Sequence, residues 1–269
     1  EYSFANGRLG GIRFIIDGNQ RTFDYMPNGN GEKLGANNAM LLKFSPHFNN
    51  LIWAKYMIKD TVGNGANPIT MQPYITGMTG DNEGNIYACG YINHSVSIVD
   101  TNYYRTLILD SNNLNQTIEL KSFEQEVSFL IKYNSNGNVI YAKQLKGKVI
   151  HNNGIAGGHG FKSLCINDGS IYVLAVNAIG NTDTNNYYIM FDDNHISNSD
   201  MYGLKILFVK YNKENGNYIS HGVACSDNQT YIRRDNTSII AKNNQVFAQI
   251  EFKYNLKTLS CTKVTYPKT

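Results

Sequence analysis

Phe129-Leu130-Ile131-Lys132-Tyr133-Asn134-Ser135-Asn136-Gly137-Asn138-Val139-Ile140-Tyr141-Ala142-Lys143 is an apolar run, a turn rich in Asn and Gly, and a second apolar run. That pattern is the local signal for two antiparallel strands joined by a tight reversal. The phrase recurs. Upstream it reads Met40-Leu41-Leu42-Lys43-Phe44-Ser45-Pro46-His47-Phe48-Asn49-Asn50-Leu51-Ile52-Trp53-Ala54-Lys55, and downstream Leu207-Phe208-Val209-Lys210-Tyr211-Asn212-Lys213-Glu214-Asn215-Gly216-Asn217-Tyr218-Ile219-Ser220. A degenerate copy is Ile250-Glu251-Phe252-Lys253-Tyr254-Asn255. The shared lysine falls at 43, 132 and 210, spacings of 89 and 78 residues.

A second hairpin lies between copies. Ile75 to Gly80 and Asn85 to Tyr91 flank Asp81-Asn82-Glu83-Gly84, with counterparts at Phe161 to Ala175 and Ser238 to Gln249. Two hairpins per repeat make a four-stranded meander, the unit of a β-propeller blade, and the spacing suits a blade with an insertion. That insertion is a short strand and polar excursion, Tyr104 to Asp110 in one repeat and Tyr188 to Asp192 in another, and Tyr2 to Asp17 repeats it at the start. The sequence therefore predicts an all-β protein, a β-propeller of four-stranded antiparallel blades. About four blades fall in this chain, at 1–57, 72–145, 160–224 and 237–266 of a single domain spanning 1–269. The first is incomplete at its N-terminus, so a leader or further protein is expected before Glu1. The missing inner strand is expected to come from Cys261 to Tyr266, which would close the ring, or from another chain.

Phe129 to Lys143, Gly84-Asn85-Ile86-Tyr87 and the Trp53-Ala54-Lys55 close of the first copy resemble the bacterial and viral β-propeller repeats labelled SBBP. The resemblance covers nearly the whole chain. It implies a propeller with no assigned chemistry, in a family found mostly on surfaces or outside cells.

The apolar residues Leu42, Trp53, Ile86, Leu130, Ile140, Ile171, Phe208 and Ile219 are expected to fill the space between successive blades, with the turns exposed. Composition agrees with strands and turns. Hydrophobic residues are 42% and charged residues 17%, and about one residue in seven is Asn, which suits hairpin turns. Asn enrichment also accompanies AT-rich genomes. The net charge is +3 with lysines spread along the repeats, so no nucleic-acid partner is expected. Arg233-Arg234 beside Asp235 reads as a solvated pair. Apolar runs are of strand length, so no membrane span is expected. Cys89, Cys165, Cys225 and Cys261 lack Cys-x-x-Cys spacing and read as buried thiols on separate blades. Sequons occur at Asn93, Asn115, Asn228 and Asn236.

Chemistry is expected, if anywhere, on the connectors between blades. Lys59 to Asn67, Val149 to His159 and Ser226 to Asp235 supply Asp60, His151, Asn152, His159, Asp227, Arg233 and Arg234 as the candidate binding residues. His151 and His159 share a Gly-rich loop but lack a third metal ligand. The turns at Asp81 and Asn134 resemble calcium loops, yet no bidentate acid follows. No Gly-x-Ser-x-Gly, His-Glu-x-x-His or Walker motif is present, so no catalytic residue, metal or cofactor is assigned.

The expected function is a non-enzymatic structural or binding module of a surface, extracellular or virion assembly. Its partners would be a protein, copies of itself or glycans. The alternatives are a carbohydrate-active hydrolase, needing Asp60, His151, His159, Asp227 and Asp235 to converge within about 10 Å, and a lectin stacking sugars on Tyr103, Tyr104, Tyr187 and Tyr188.

Overall fold

The computed structural model describes residues 12–16, 19–23, 39–47, 51–59, 71–94, 105–108, 117–120, 126–148, 159–179, 188–192, 195–197, 203–225, 237–242, 245–250 and 260–265. In chain order the strands are β1 (Ile12–Ile16), β2 (Asn19–Phe23), β3 (Ala39–Phe44), β4 (Leu51–Lys59), β5 (Met71–Gly80), β6 (Ile86–His94), β7 (Arg105–Ile108), β8 (Thr117–Leu120), β9 (Glu126–Tyr133) and β10 (Val139–Lys148). They continue as β11 (His159–Asn167), β12 (Ser170–Ile179), β13 (Tyr188–Asp192), β14 (His195–Ser197), β15 (Gly203–Asn212), β16 (Tyr218–Cys225), β17 (Ser238–Lys242), β18 (Gln245–Gln249) and β19 (Ser260–Thr265). No helix among the described residues is long and apolar enough to cross a membrane.

The repeat phrase forms the hairpins β3–β4, β9–β10 and β15–β16, and the second hairpins are β5–β6, β11–β12 and β17–β18. Two antiparallel meanders are complete, β5-β6-β9-β10 and β11-β12-β15-β16. Lys43, Lys132 and Lys210 hold the same place in their third strands, opposite Trp53, Tyr141 and Ser220. The inserted strand leaves its own sheet. β7 pairs with β4 and β13 with β10, so each insertion lengthens the sheet before it.

The sheets stack face to face with apolar seams between them. Leu41 and Trp53 meet Phe129, Ile131 and Tyr133 in one seam. Tyr87, Cys89 and Leu130 meet Phe161, Val173 and Tyr211 in the next, and Leu174, Val176 and Ile206 meet Ile239 in the third. Successive residues of β9 point to opposite faces, both covered, which is why Phe129 to Ile131 reads as an unbroken apolar run. Inner strands are tied across the stack. Thr76 Oγ1 donates to the Phe161 carbonyl at 2.6 Å, and the Ile239 N–H donates to Ser163 Oγ at 3.3 Å.

Three expectations are corrected. The first is that Ile140 fills the interior with Leu130 and Ile171, whereas it is half exposed. The ladder runs from Val139 opposite Tyr133 to Tyr141 opposite Lys132, so Ile140 is the extra residue of a bulge. Ile52 and Ile219 occupy the same bulge in the other two phrases, where Lys43 faces Trp53 and Phe44 faces Leu51, and Lys210 faces Ser220 and Tyr211 faces Tyr218. The second concerns the Cys261 segment. β19 does not fill the first sheet; it pairs with β16, where the next repeat's insertion belongs by the rule that β7 and β13 follow. That ladder sets Cys261 opposite Ala224 and Cys225 opposite Ser260, so these two cysteines lie on neighbouring strands, not on separate blades.

The third concerns the turns, expected to be solvent-exposed throughout. Ser135, Asn136, Glu214 and Asn215 are, but Gly137 and Gly216 are buried.

Candidate functional site

The turns of successive hairpins gather on one rim of the stack, and this is where the described polar groups converge. Three of these turns open on a side-chain oxygen that holds the backbone. The Asp81 carboxylate accepts the N–H groups of Glu83 and Asn85 at 3.0 and 2.9 Å. Asn134 Oδ1 accepts those of Asn136 and Asn138 at 3.0 and 2.9 Å, and Asn212 Oδ1 those of Glu214 and Asn215 at 2.8 and 3.3 Å. Short amide or carboxylate side chains do this because they reach the backbone two residues on. This use accounts for Asn at these turns.

Asp81 is fully engaged. Its other oxygen accepts the Asn85 amide and the Tyr87 hydroxyl, both at 3.0 Å. Burial alone would raise its pKa, but the bonds from Asn85, Tyr87 and Glu83 outweigh that and hold it below the ordinary carboxylate value. Burial and the Asp81 carboxylate push the Tyr87 hydroxyl well above its ordinary value, so it stays a donor. These groups fasten the turn; they do not exchange protons near neutral pH.

Lysines then link one sheet's rim to the next. Lys43 Nζ donates to the Ser135 carbonyl at 2.9 Å, joined there by Trp53 Nε1 at 3.0 Å. One sheet on, Lys132 Nζ donates to the Lys213 carbonyl at 3.3 Å, joined by the Tyr141 hydroxyl at 3.1 Å. Lys132 also pairs with Glu214 at 3.2 Å, and Lys213 lies 3.6, 3.8 and 3.5 Å from Asp81, Glu83 and Glu214. Desolvation would lower the Lys213 pKa, but the three carboxylates override it and raise it. The hydrogen bond from Lys132 holds Glu214 below its ordinary value. Glu83 and Glu214 are two-thirds exposed, so such pairs are worth about 0–1 kcal/mol each. Registry comes from the buried donors and from the packing beneath them.

That packing explains the turn glycines. A Cβ on Gly216 would lie 2.6 Å from the Tyr141 ring and 3.0 Å from Lys143 Cε, and one on Gly137 would meet Trp53 and Lys55 within 3.1 Å. Gly137 and Gly216 also have φ of +81° and +69°. Gly169 has φ +71° but nothing within 4 Å of its Cβ position. Gly169→Ala should therefore cost only the left-handed backbone, about 1–2 kcal/mol. Gly216→Ala should cost that plus the clash, a larger shift in urea midpoint. Equal shifts would mean that Tyr141 does not press on the turn.

Phe191 of β13 stacks on His221 of β16 at 4.2 Å and on Tyr218 at 5.0 Å, and the Tyr218 hydroxyl lies 2.6 Å from His221 Nδ1. Burial lowers the His221 pKa. The unfolded chain then binds the proton more readily than the folded one. His221 thus contributes its full stability above the ordinary histidine pKa of about 6.5 and loses it as pH falls below that toward the folded value. The drop in stability between pH about 7.5 and about 5 should be smaller in His221→Phe than in the wild type, as read by thermal unfolding.

None of the binding residues singled out from the sequence is among the groups described above. Asp60, His151, Asn152, Asp227, Arg233, Arg234 and Asp235 lie outside the described residues, as do Tyr103, Tyr104, Tyr187, Asn115, Asn228 and Asn236. His159 is not in a loop with His151: it opens β11, opposite Asn177, because the first–second ladder extends that far. Asn93 sits within β6, between Gln72 and Glu126. Among the described residues no group of three or more His, Cys, Asp or Glu is placed to hold a metal ion. Burial pushes the Cys89 thiol up to about 12 and Cys165 to about 11, so both are protonated and inert near neutral pH.

No protein-family model matches this chain, and no curated protein matches it.

Proposed function

We propose that this chain is a β-propeller module of the SBBP-like repeat type. It serves as a non-enzymatic structural or binding component of a surface, extracellular or virion assembly and displays its loops for protein or glycan contact. One observation carries the reading. The rim's acids and lysines are engaged in capping turns and joining neighbouring sheets, with Asp81 accepting four hydrogen bonds. A hydrolase needs a carboxyl pair left free to face a substrate. Two complete antiparallel meanders stacked through apolar seams support the propeller, whose blades are such meanders.

The test is turnover of a panel of nitrophenyl glycosides and esters by the purified chain, alongside its binding to immobilised glycans. The expected result is no turnover above buffer. Turnover abolished by Asp60→Asn or Asp227→Asn would overturn the reading in favour of a hydrolase.

A further inference from the structure

The two ends of the stack are halves of the same unit. In both complete sheets a second strand pairs with a third, with Tyr87 opposite Lys132 and Tyr172 opposite Lys210. β3–β4 is a third–fourth hairpin, and β17–β18 is a first–second hairpin in which Val246-Phe247-Ala248 matches Ile86-Tyr87-Ala88 and Ile171-Tyr172-Val173. Among the described residues, β18 pairs only with β17, and β3 only with β4. Every residue of β18 is exposed. Phe247 is 50% exposed where Tyr87 is 0%, and Ile240 beside it is 62% exposed. An apolar strand with an open edge recruits another strand.

Resting on the propeller reading above, we propose that β18 takes as its third strand β3 of a second copy of this chain. The register is that of the complete sheets: Val246 opposite Phe44, Phe247 opposite Lys43, Ala248 opposite Leu42. Three further observations fit. First, Lys132 lies 5.4 Å over the Tyr87 ring and Lys210 5.4 Å over Tyr172, so Lys43 would lie over Phe247 in the same way. Second, Leu42 and Phe44 are half-buried where their counterparts Ile131 and Tyr133 are fully buried. They gain the missing cover from the second copy's β11-β12-β15-β16 sheet, and Ile240 and Phe247 gain theirs from its β5-β6-β9-β10 sheet. Third, the fourth strand of β11-β12-β15-β16 carries Ser220 where the earlier ones carry Trp53 and Tyr141. The turn it would meet, which starts Ser45-Pro46-His47, is the one that lacks a glycine. A small side chain faces the bulky turn, and large rings face the glycine turns.

The occupant is a second copy because the two open halves complement each other. Among the described residues, two complete sheets and these two halves make three units beside the β1–β2 hairpin, so pairing β18 with β3 of its own chain would close a ring smaller than the typical four to eight. Two copies joined at both junctions close a two-fold ring of six.

The experiment uses the 269-residue chain. Its mass in solution is expected to be twice 30.2 kDa. Lys43→Cys and Phe247→Cys chains, mixed and mildly oxidised, are expected to give a covalent dimer that neither gives alone. A mixture of Leu42→Cys with Phe247→Cys, off register, should not. Circular dichroism confirms that each variant is folded. A monomer at all concentrations, or a dimer without the Lys43–Phe247 cross-link, overturns the proposal and leaves the propeller reading standing. So does a cross-link formed within one chain by the double variant. Cross-linked ladders of three or more chains would support the β18–β3 junction and count against the closed propeller itself.

Discussion

Gly90→Ala is expected to leave little folded protein. A Cβ at Gly90 would run into the Tyr74 carbonyl oxygen and lie 2.8 Å from the Phe129 ring. The first obstacle is backbone in the neighbouring strand, which cannot swing away as a side chain can. The cause is a bulge: the ladder steps from Ile75 opposite Gly90 to Gly77 opposite Cys89, and Thr76 is the extra residue. Its hydroxyl bonds the Phe161 carbonyl of the next sheet, so relaxing the bulge would also disturb the contact between sheets. Overpacking a close-packed core costs typically 1–3 kcal/mol, and this case should reach or exceed about 3 kcal/mol. Gly80→Ala is the control, since its Cβ would meet only ordinary contacts at 3.5 Å. It should fall within about 0.5 kcal/mol of wild type. Soluble yield and the urea midpoint measure both. A Gly90→Ala chain as stable as Gly80→Ala would refute the bulge.

Leu130→Ala is expected to cost about 2–5 kcal/mol, the range for deleting an enclosed aliphatic side chain. Leu130 is 0% exposed in the seam that also holds Tyr87, Cys89, Phe161 and Tyr211. Walls built from strands of two sheets cannot collapse into the cavity without shifting the stack. Ile140→Ala supplies the contrast, because the phrase alone would rank Ile140 beside Leu130. At the exposed bulge it should cost less than about 1 kcal/mol. Similar losses for the two would mean that the bulge register is wrong.

The comparison of Leu130 with Ile140 shows where local reading stops. Alternation along Phe129 to Lys143 reveals strands and a turn, but one inserted residue reverses which face follows, and no residue type announces a bulge. The rim was legible in part. The recurring lysine stands out, yet its acceptors include carbonyls 81 and 92 residues away along the chain. Asp81 and Asn134 read locally as turn formers that resemble cation ligands. Their bonds to the turn's own N–H groups decide against that. The aromatic and histidine cluster of Phe191, Tyr218 and His221 joins strands of two different sheets, β13 and β16, and leaves no local signal.

The sequence by itself determined the all-β class, the hairpins, their turns and the equivalence of the three repeat phrases. All of these rest on contacts between residues close along the chain, where alternation and turn chemistry suffice. Only the tertiary structure decided that each insertion joins the preceding sheet, that β19 pairs with β16, and that Gly137 and Gly216 lie beneath a neighbouring sheet's ring. Those outcomes depend on which strand edge is open and which side chain stands opposite across the stack. Such choices are made between distant segments competing for the same edge, and a stretch of residues read alone carries no record of its competitors.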